Sequence, residues 1–287
     1  MISIFKKNNS CDGIYKSADI HFTKLCDNNC AFCIDKKLAG INDTKPNVPA
    51  IMEQILNISN DIDDVLFLGG EPCLFLDELL DIIHQIRKKT SLKIYVTTSV
   101  PKTCYDYPDK FEEIIELVDG INFSVHHHVP EIADKIRNSK SRYDRNIFYA
   151  SLKNKNKIRL NINLTKTFLD TKEKILECIK FFDGMGFGSI KLAELQHSEE
   201  QYVSFEDVFD IKLGSPYSHG CQQYLNAEVI FPDIKTPILL KRSCFLCEDS
   251  LKASISDAFK ILYKAVKRTS SHYYVIYGNG LLSNGWR

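Results

Sequence analysis

The amino-acid sequence predicts an α/β fold: a partial (β/α)6, TIM-like barrel with a C-terminal extension that ends in a β-hairpin. Three observations point there. Strand-like and helix-like runs alternate through the first two thirds of the chain, the pattern of a parallel sheet whose right-handed crossovers curl it into an open or partial barrel. Three of the strands carry polar residues on one face only. Near the end of the chain, Asn279-Gly280 separates two strand-like runs, a strong hairpin signal.

The elements follow in order. Ala18–Leu25 reads as a strand, followed by a Cys-rich loop and a helix near Pro49–Ser59. Val65–Leu68 is an apolar strand ending at Gly69-Gly70. Phe75–Lys89 is helical, with Leu76, Leu79, Leu80 and Ile83 at helical spacing. Leu92–Thr98 is a strand and Lys110–Val118 a helix. Ile121–His126 is a strand, followed by helical stretches from about Glu131 to Leu152. Ile158–Leu164 is a strand, Thr171–Phe182 a helix with Thr171 as N-cap, and Ser189–Leu195 the sixth strand. The alternation stops after Gln196, so residues 1–196 are expected to form the barrel core and 197–287 an extension. In the extension, Asn226–Phe231 and Ile238–Lys241 read as pairing strands and Ser254–Arg268 as an amphipathic helix. His272–Trp286 reads as the hairpin.

Side-chain alternation says what the barrel encloses. Asn122, Ser124 and His126 share one face of their strand; Arg159, Asn161, Asn163 and Thr165 share one face of the next; Lys93, Tyr95, Thr97 and Ser99 repeat the pattern. Parallel strands covered on both faces are normally apolar throughout. Helices cover the apolar face, so the polar face lines a lumen suited to a polar ligand. His126 and Arg159 are candidate substrate contacts, Arg159 for an anionic group.

Composition narrows the class. Of 287 residues, 44% are hydrophobic and 26% charged, as in ordinary globular chains. Lys plus Arg and Asp plus Glu each number 37. This zero net charge exerts no bulk pull on nucleic acid, which makes a nucleic-acid partner an unfavoured expectation. No run approaches the roughly 18 apolar residues of a membrane span. Met1-Ile-Ser-Ile-Phe-Lys-Lys does not read as a signal peptide, so a cytoplasmic protein is expected. In such a reducing compartment the ten cysteines point to metal binding or chemistry rather than disulfides.

Cys26-x3-Cys30-x2-Cys33 follows directly on the first strand. Three thiolates this close suit a soft metal. Zinc usually takes a fourth protein ligand, and a His would complete a structural site; three thiolates on a cubane [4Fe–4S] cluster leave one iron open to an external ligand. At the end of a barrel strand that iron would face the mouth, where such barrels keep their active sites.

Cys26-Asp-Asn-Asn-Cys30-Ala-Phe32-Cys33 resembles the signature of the radical S-adenosylmethionine (SAM) superfamily, with Phe32 as the aromatic before the third Cys. Gly69-Gly70-Glu71-Pro72, closing the second strand, is similar to the family's second motif. The resemblance covers roughly Asp19 to Gln196. It implies that Cys26, Cys30 and Cys33 ligate a [4Fe–4S] cluster, that SAM binds the open iron, and that an electron donor such as flavodoxin or ferredoxin drives cleavage to a 5′-deoxyadenosyl radical. Gly69 and Gly70 would let backbone approach the SAM amino group, and Glu71 would accept from it. Ser124, with Asn161 or Asn163, would contact SAM carboxylate and ribose. The stretch from Ile190 to Gln196 is a looser match to the adenine-binding segment. Thr97-Thr98-Ser99 departs from the family's Thr-Asn-Gly-like turn.

Cys244-x2-Cys247, with Cys221 upstream, forms a second group. An auxiliary [4Fe–4S] cluster, a zinc site and unligated thiols all remain open for it. A fourth ligand would be His219, Cys11, substrate or water. Cys178 reads as a core thiol; Cys73 and Cys104, near strand ends, are candidates for quenching a radical. Three functions compete: hydrogen abstraction from a small polar metabolite or nucleotide, modification of a ribosomally made peptide, and a non-catalytic metal or redox module.

Overall fold

The computed structural model describes residues 16–37, 45–139, 143–195, 198–210, 224–226, 231–241 and 273–283. Strands β1 (Ser17–His21), β2 (Asp64–Leu68), β3 (Lys93–Thr98), β4 (Gly120–Ser124), β5 (Ile158–Asn163) and β6 (Ser189–Ala193) lie side by side in chain order, all parallel. Later residues enlarge this sheet at both margins. The antiparallel pair β7 (Tyr224–Asn226) and β8 (Ile238–Lys241) joins through β8, parallel to β6. The hairpin of β9 (Tyr273–Tyr277) and β10 (Leu282–Ser283) joins through β9, parallel to β1. The ten strands form one open sheet whose margins are not bonded to each other, the partial barrel expected.

Helices α1 (Val48–Ile58), α2 (Leu76–Lys89), α4 (Pro108–Leu117) and α7 (Lys172–Phe182) carry the crossovers. Short α3 (Lys102–Asp106), α5 (Pro130–Arg137), α6 (Arg145–Ser151) and α8 (Phe205–Phe209) fill the loops. Local chemistry sets their ends. Asn47 caps α1 by accepting from Ala50 N, and Thr171 caps α7 by accepting from Lys174 N, as the sequence predicts. Asp77 and Glu78 open α2 and Arg87, Lys88 and Lys89 close it, matching the helix dipole. The stretch from 131 to 152 splits into α5 and α6 where Asn138 takes a left-handed conformation.

The strand residues facing the helices are fully buried: Ile20, Val65, Phe67, Ile94, Val96, Ile121, Phe123, Leu160, Ile162 and Leu192 belong to one apolar core. Each such side chain contributes about 1.5–3 kcal/mol by leaving water. The opposite face holds the polar set. On β9 the inner-face residues Val275 and Tyr277 form a separate apolar cluster, while Ile276 joins the main core.

β1 is shorter than expected. Beyond His21 the strand pairing stops, and the backbone bends to meet the turn after β2. Of the strand expected at Asn226–Phe231, Asn226 belongs to β7, and residues 227–230 lie outside the described residues. The helix expected at Ser254–Arg268 lies outside the described residues.

The β9–β10 turn is pressed onto α1: Asn47 N donates to Gly278 O (2.7 Å), and Gly280, at φ +86°, leaves no room for a side chain, since a Cβ would stand 2.5 Å from Ala50 Cβ. Gly280→Ala is expected to destabilise the protein by about 1–3 kcal/mol. The urea midpoint measures this, and an unchanged midpoint would show the turn to be loosely seated.

Candidate active site

The site is built where β1 hands the chain to the thiol loop at the C-terminal mouth of the sheet. Backbone bonds fasten the start of this loop to the turn after β2. Phe22 N donates to Leu68 O, Gly70 N to Thr23 O (2.6 Å), and Glu71 N to Leu25 O (2.8 Å). This approach explains the two glycines locally. Gly69, at φ +115°, would place a Cβ 2.8 Å from Thr23 O, and a Cβ on Gly70 would collide with the Leu25 carbonyl. Side chains there would push the thiol loop off the barrel.

Glu71 is 1% exposed and accepts four hydrogen bonds. Oε1 accepts from Cys73 N (3.0 Å) and Thr98 Oγ1 (2.6 Å); Oε2 accepts from Ser99 N and Ser99 Oγ (both 2.6 Å). Burial pushes its carboxyl above the ordinary value, and these donors pull the other way. The bracket continues into the loop, where Asn28 Nδ2 donates to Ser99 Oγ (2.7 Å). Thr98-Ser99, the departure from the family's turn, supplies the donors that hold Glu71. The next residue, Val100, is β-branched yet sits at φ +56°, held by a bond from its N–H to Thr98 Oγ1 (2.8 Å). Such backbone strain costs on the order of 1–3 kcal/mol.

The middle of the loop is fastened by Asn29 N to Arg137 O (2.9 Å), and its far end by a hydrogen bond between Asp35, just after Cys33, and His21 on β1. Phe32 packs edge-on to His126, ring centroids 5.4 Å apart. His126 is buried at φ +66°, where Val125 N and His126 N both donate to Asn161 O and its Nδ1 accepts from Asn163 N (3.3 Å). Burial first, then Arg137 and Lys191, lower its pKa to about 3, so the ring is neutral. Strand register sets Ser124 beside Asn161, and Arg159 between Asn122 and Ser189. Asn161 Oδ1 is buried without a hydrogen-bond partner among the described residues.

Beside the loop, Val125, Ala133, Arg137, Tyr143, Arg145 and Tyr149 line a small hollow. Arg137 and Arg145 are both buried and share Asp134 Oδ1 (3.3 and 2.7 Å). Arg137 also donates to the Ser124 and Val125 carbonyls.

Cys26 is exposed, while Cys30 and Cys33 are half-buried. Partial desolvation by the surrounding loop, then Glu71, pushes the Cys26 thiol up to about 12 although its residue is exposed; burial, then Cys33, raises Cys30 to about 11, against a downward pull from Arg137. Among the described residues no three metal-binding side chains converge on one point, so the fold gathers the three thiols into one loop without closing them. The donor set suits an iron–sulfur cluster: three soft ligands at the mouth, with Asn28 N–H aimed at Cys26 Sγ (3.4 Å). Asn161 Oδ1 offers an unspent acceptor on the same inner face. Cys73, Cys104 and Cys178 sit in the helix-side core, away from that face. Cys221, Cys244 and Cys247 lie outside the described residues, as do Cys11 and His219.

Sequence reasoning missed two parts of this site. His21 had a visible signal, since Ser17, Asp19, His21 and Thr23 continue the polar alternation into the first strand. The Arg137–Asp134–Arg145 group had none, because its members come from two helices whose packing no local spacing records.

Glu71→Gln would set an amide NH2 against the backbone N–H of either Cys73 or Ser99. A loss of about 1–3 kcal/mol is expected by urea unfolding, with reduced iron uptake. The neutral His126 gives a pH signature. Its folded pKa of about 3 lies below the ordinary 6.5, so the unfolded chain binds more protons in acid. The contribution is complete above about pH 6.5 and is lost as pH falls toward 3. Between pH 7 and 4.5 the metal-free chain should lose on the order of 2 kcal/mol from this ring. His126→Gln should remove that part of the loss, and an identical pH profile would refute the assignment.

The family model of the radical SAM superfamily matches residues 20–182, more than half of the chain. No curated protein matches the sequence. Among solved structures, the chain is similar to Streptococcus suis SuiB bound to precursor peptide SuiA, at 16% identity and TM-score 0.59, over 95% of this chain and 60% of that one. SuiB bound to S-adenosylmethionine gives 15% and 0.60 over the same shares. A radical SAM methyltransferase from Sphaerobacter thermophilus gives 13% and 0.51, over 79% and 65%. At these identities the likeness is one of fold, and this chain spans 60% of the length of SuiB. The family match runs from within β1 to the end of α7, the stretch that builds the thiol loop, the Glu71 bracket and the inner-face amides, and by it the chain belongs to the radical SAM superfamily of enzymes.

Proposed function

We propose that this enzyme holds its [4Fe–4S] cluster on Cys26, Cys30 and Cys33, cleaves SAM reductively, and abstracts hydrogen from a small polar metabolite or nucleotide. The family makes the cluster and SAM its cofactors. When bound, they supply a 5′-deoxyadenosyl radical from one electron. The observation that carries the reading is the thiol loop bonded directly to the Gly69-Gly70-Glu71 turn over a polar sheet face.

The chain's residues take separate tasks. Glu71, with both oxygens already occupied, brackets the loop, while the Gly69-Gly70 backbone stays open to the SAM amino group. Phe32 and His126 wall one side. Ser124, Asn161 and Asn163 offer polar partners to carboxylate and ribose, and Arg137 adds positive charge beside Cys30. Arg159 and the neutral His126 are positioned for substrate. An electron donor of the flavodoxin or ferredoxin kind supplies the electron. The barrel core is residues 1–196; the extension, 197–287, brings Cys221, Cys244 and Cys247 for an auxiliary cluster. No described helix is long and apolar enough to cross a membrane.

Modification of a ribosomally made peptide is the second reading. It is favoured by the overlay of 95% of the chain on a structure described as SuiB bound to its precursor peptide.

Protein reconstituted anaerobically with iron and sulfide should release 5′-deoxyadenosine from SAM and dithionite, measured by mass spectrometry, and Cys30→Ala should abolish it. No release from an intact, reduced cluster, with or without added cell extract, would refute the reading. Stimulation by the low-mass filtrate of an extract supports the metabolite; stimulation by the macromolecular fraction alone supports the peptide. Iron content of about four per chain would leave one cluster, and about eight would give two.

A further inference from the structure

We infer that His21 and Asp35 form a clamp that positions Cys33, and that Tyr277 of the C-terminal hairpin seats this clamp. The inference rests on the reading of Cys26, Cys30 and Cys33 as cluster ligands. His21 is the last residue of β1, on the polar inner face, and fully buried. Its Nε2 meets Asp35 Oδ1, and Asp35 opens the single 3₁₀ turn that follows Cys33. The Tyr277 ring, also fully buried, stands 5.8 Å from the His21 ring, because β9 is registered on β1 with Tyr277 beside His21.

The clamp completes a set of fastenings that, among the described residues, otherwise act before Cys33. The Gly70 and Glu71 amides hold Thr23 and Leu25, Ser99 holds Asn28, and the Arg137 carbonyl holds Asn29. Cys33 itself bonds through its N–H to Cys30 O (3.2 Å), and Lys36 Nζ donates to the same carbonyl (2.7 Å); both contacts lie inside the loop. A loop tied only at its start would let the third thiol swing. Tied at Asp35, it returns to the strand from which it left, and the arc carrying all three thiols has both ends on β1. Hydrogen bonds to a carboxylate are stronger than neutral ones and hold direction as well as distance. The seat comes from β9, which lies beyond the family-matched residues, so the C-terminal hairpin bears on ligand geometry without offering a ligand.

Asp35→Asn, His21→Gln and their combination test this in the full-length protein, with Cys33→Ala and Tyr277→Leu alongside. The first readout is amide exchange of the metal-free chain. Residues 30–37 should exchange about tenfold faster in each clamp variant, with β2 to β5 unchanged. The second is the rate of iron loss to a chelator after anaerobic reconstitution. It should rise about tenfold in each single variant and no further in the double, the signature of a shared pair. Tyr277→Leu should shift both readouts in the same direction by a smaller factor. Unchanged exchange at 30–37 in Asp35→Asn, a loop substitution that leaves the core intact, would overturn the clamp, as would multiplicative effects in the double variant. Iron retention in Cys33→Ala equal to the parent would instead overturn the ligand reading, a separate failure that the exchange data on the metal-free chain do not share.

Discussion

The site depends on one buried carboxylate. Glu71 joins three segments that share no local sequence: the turn after β2, the end of β3 and the thiol loop. A carboxylate placed out of water is costly unless its lone pairs are met, and here each oxygen accepts one backbone and one hydroxyl donor. Four donors converge on this one carboxylate, so bracket and carboxylate support each other. The strained Val100 is held by the same hydroxyl that serves Glu71, which makes the end of β3 a consequence of the bracket rather than an independent feature.

Charge in the site is arranged by burial more than by pairing. Two guanidiniums share one carboxylate beside the thiol loop. Burial raises Cys26 and Cys30, and Arg137 opposes it at Cys30. A metal reverses this balance, because the thiolate is then the favoured form and a nearby cation stabilises the anionic assembly. The nearby His126 cannot compete for that role while it stays neutral. The arrangement separates two duties: fixed positive charge behind the loop, and neutral hydrogen-bonding groups in front of it.

Much of this was legible in the sequence, for physical reasons. Period-two alternation reports which face of a strand meets water, so the polar lumen residues from Tyr95 to Asn163 could be read directly. Cysteine spacing and the Gly69-Gly70 turn report local geometry, and both stand where the strand ends put them. Thr171 was legible as a cap because capping is local. What alternation does not report is which strand lies next to which. The places of β8 and β9 at opposite margins, and the bond from Glu71 to Thr98 and Ser99, depend on packing between distant segments. The end of β1 was misjudged for a related reason: Phe22 to Leu25 look like strand residues, but the turn after β2 takes the carbonyls of Thr23 and Leu25.

The place of β9 has a consequence for the order of assembly. β1 finds one neighbour in β2, but the other arrives about 250 residues later, when Tyr273–Tyr277 pairs with Ser17–His21. Contacts of such separation carry a large loop-closure entropy. β1 is walled on its second side only when β9 has paired with it, and the cysteine loop that springs from β1 is seated only then. Maturation of the site is in this sense coupled to completion of the fold: iron and sulfide delivered early would meet a loop with its starting end held and its far end waiting for its seat.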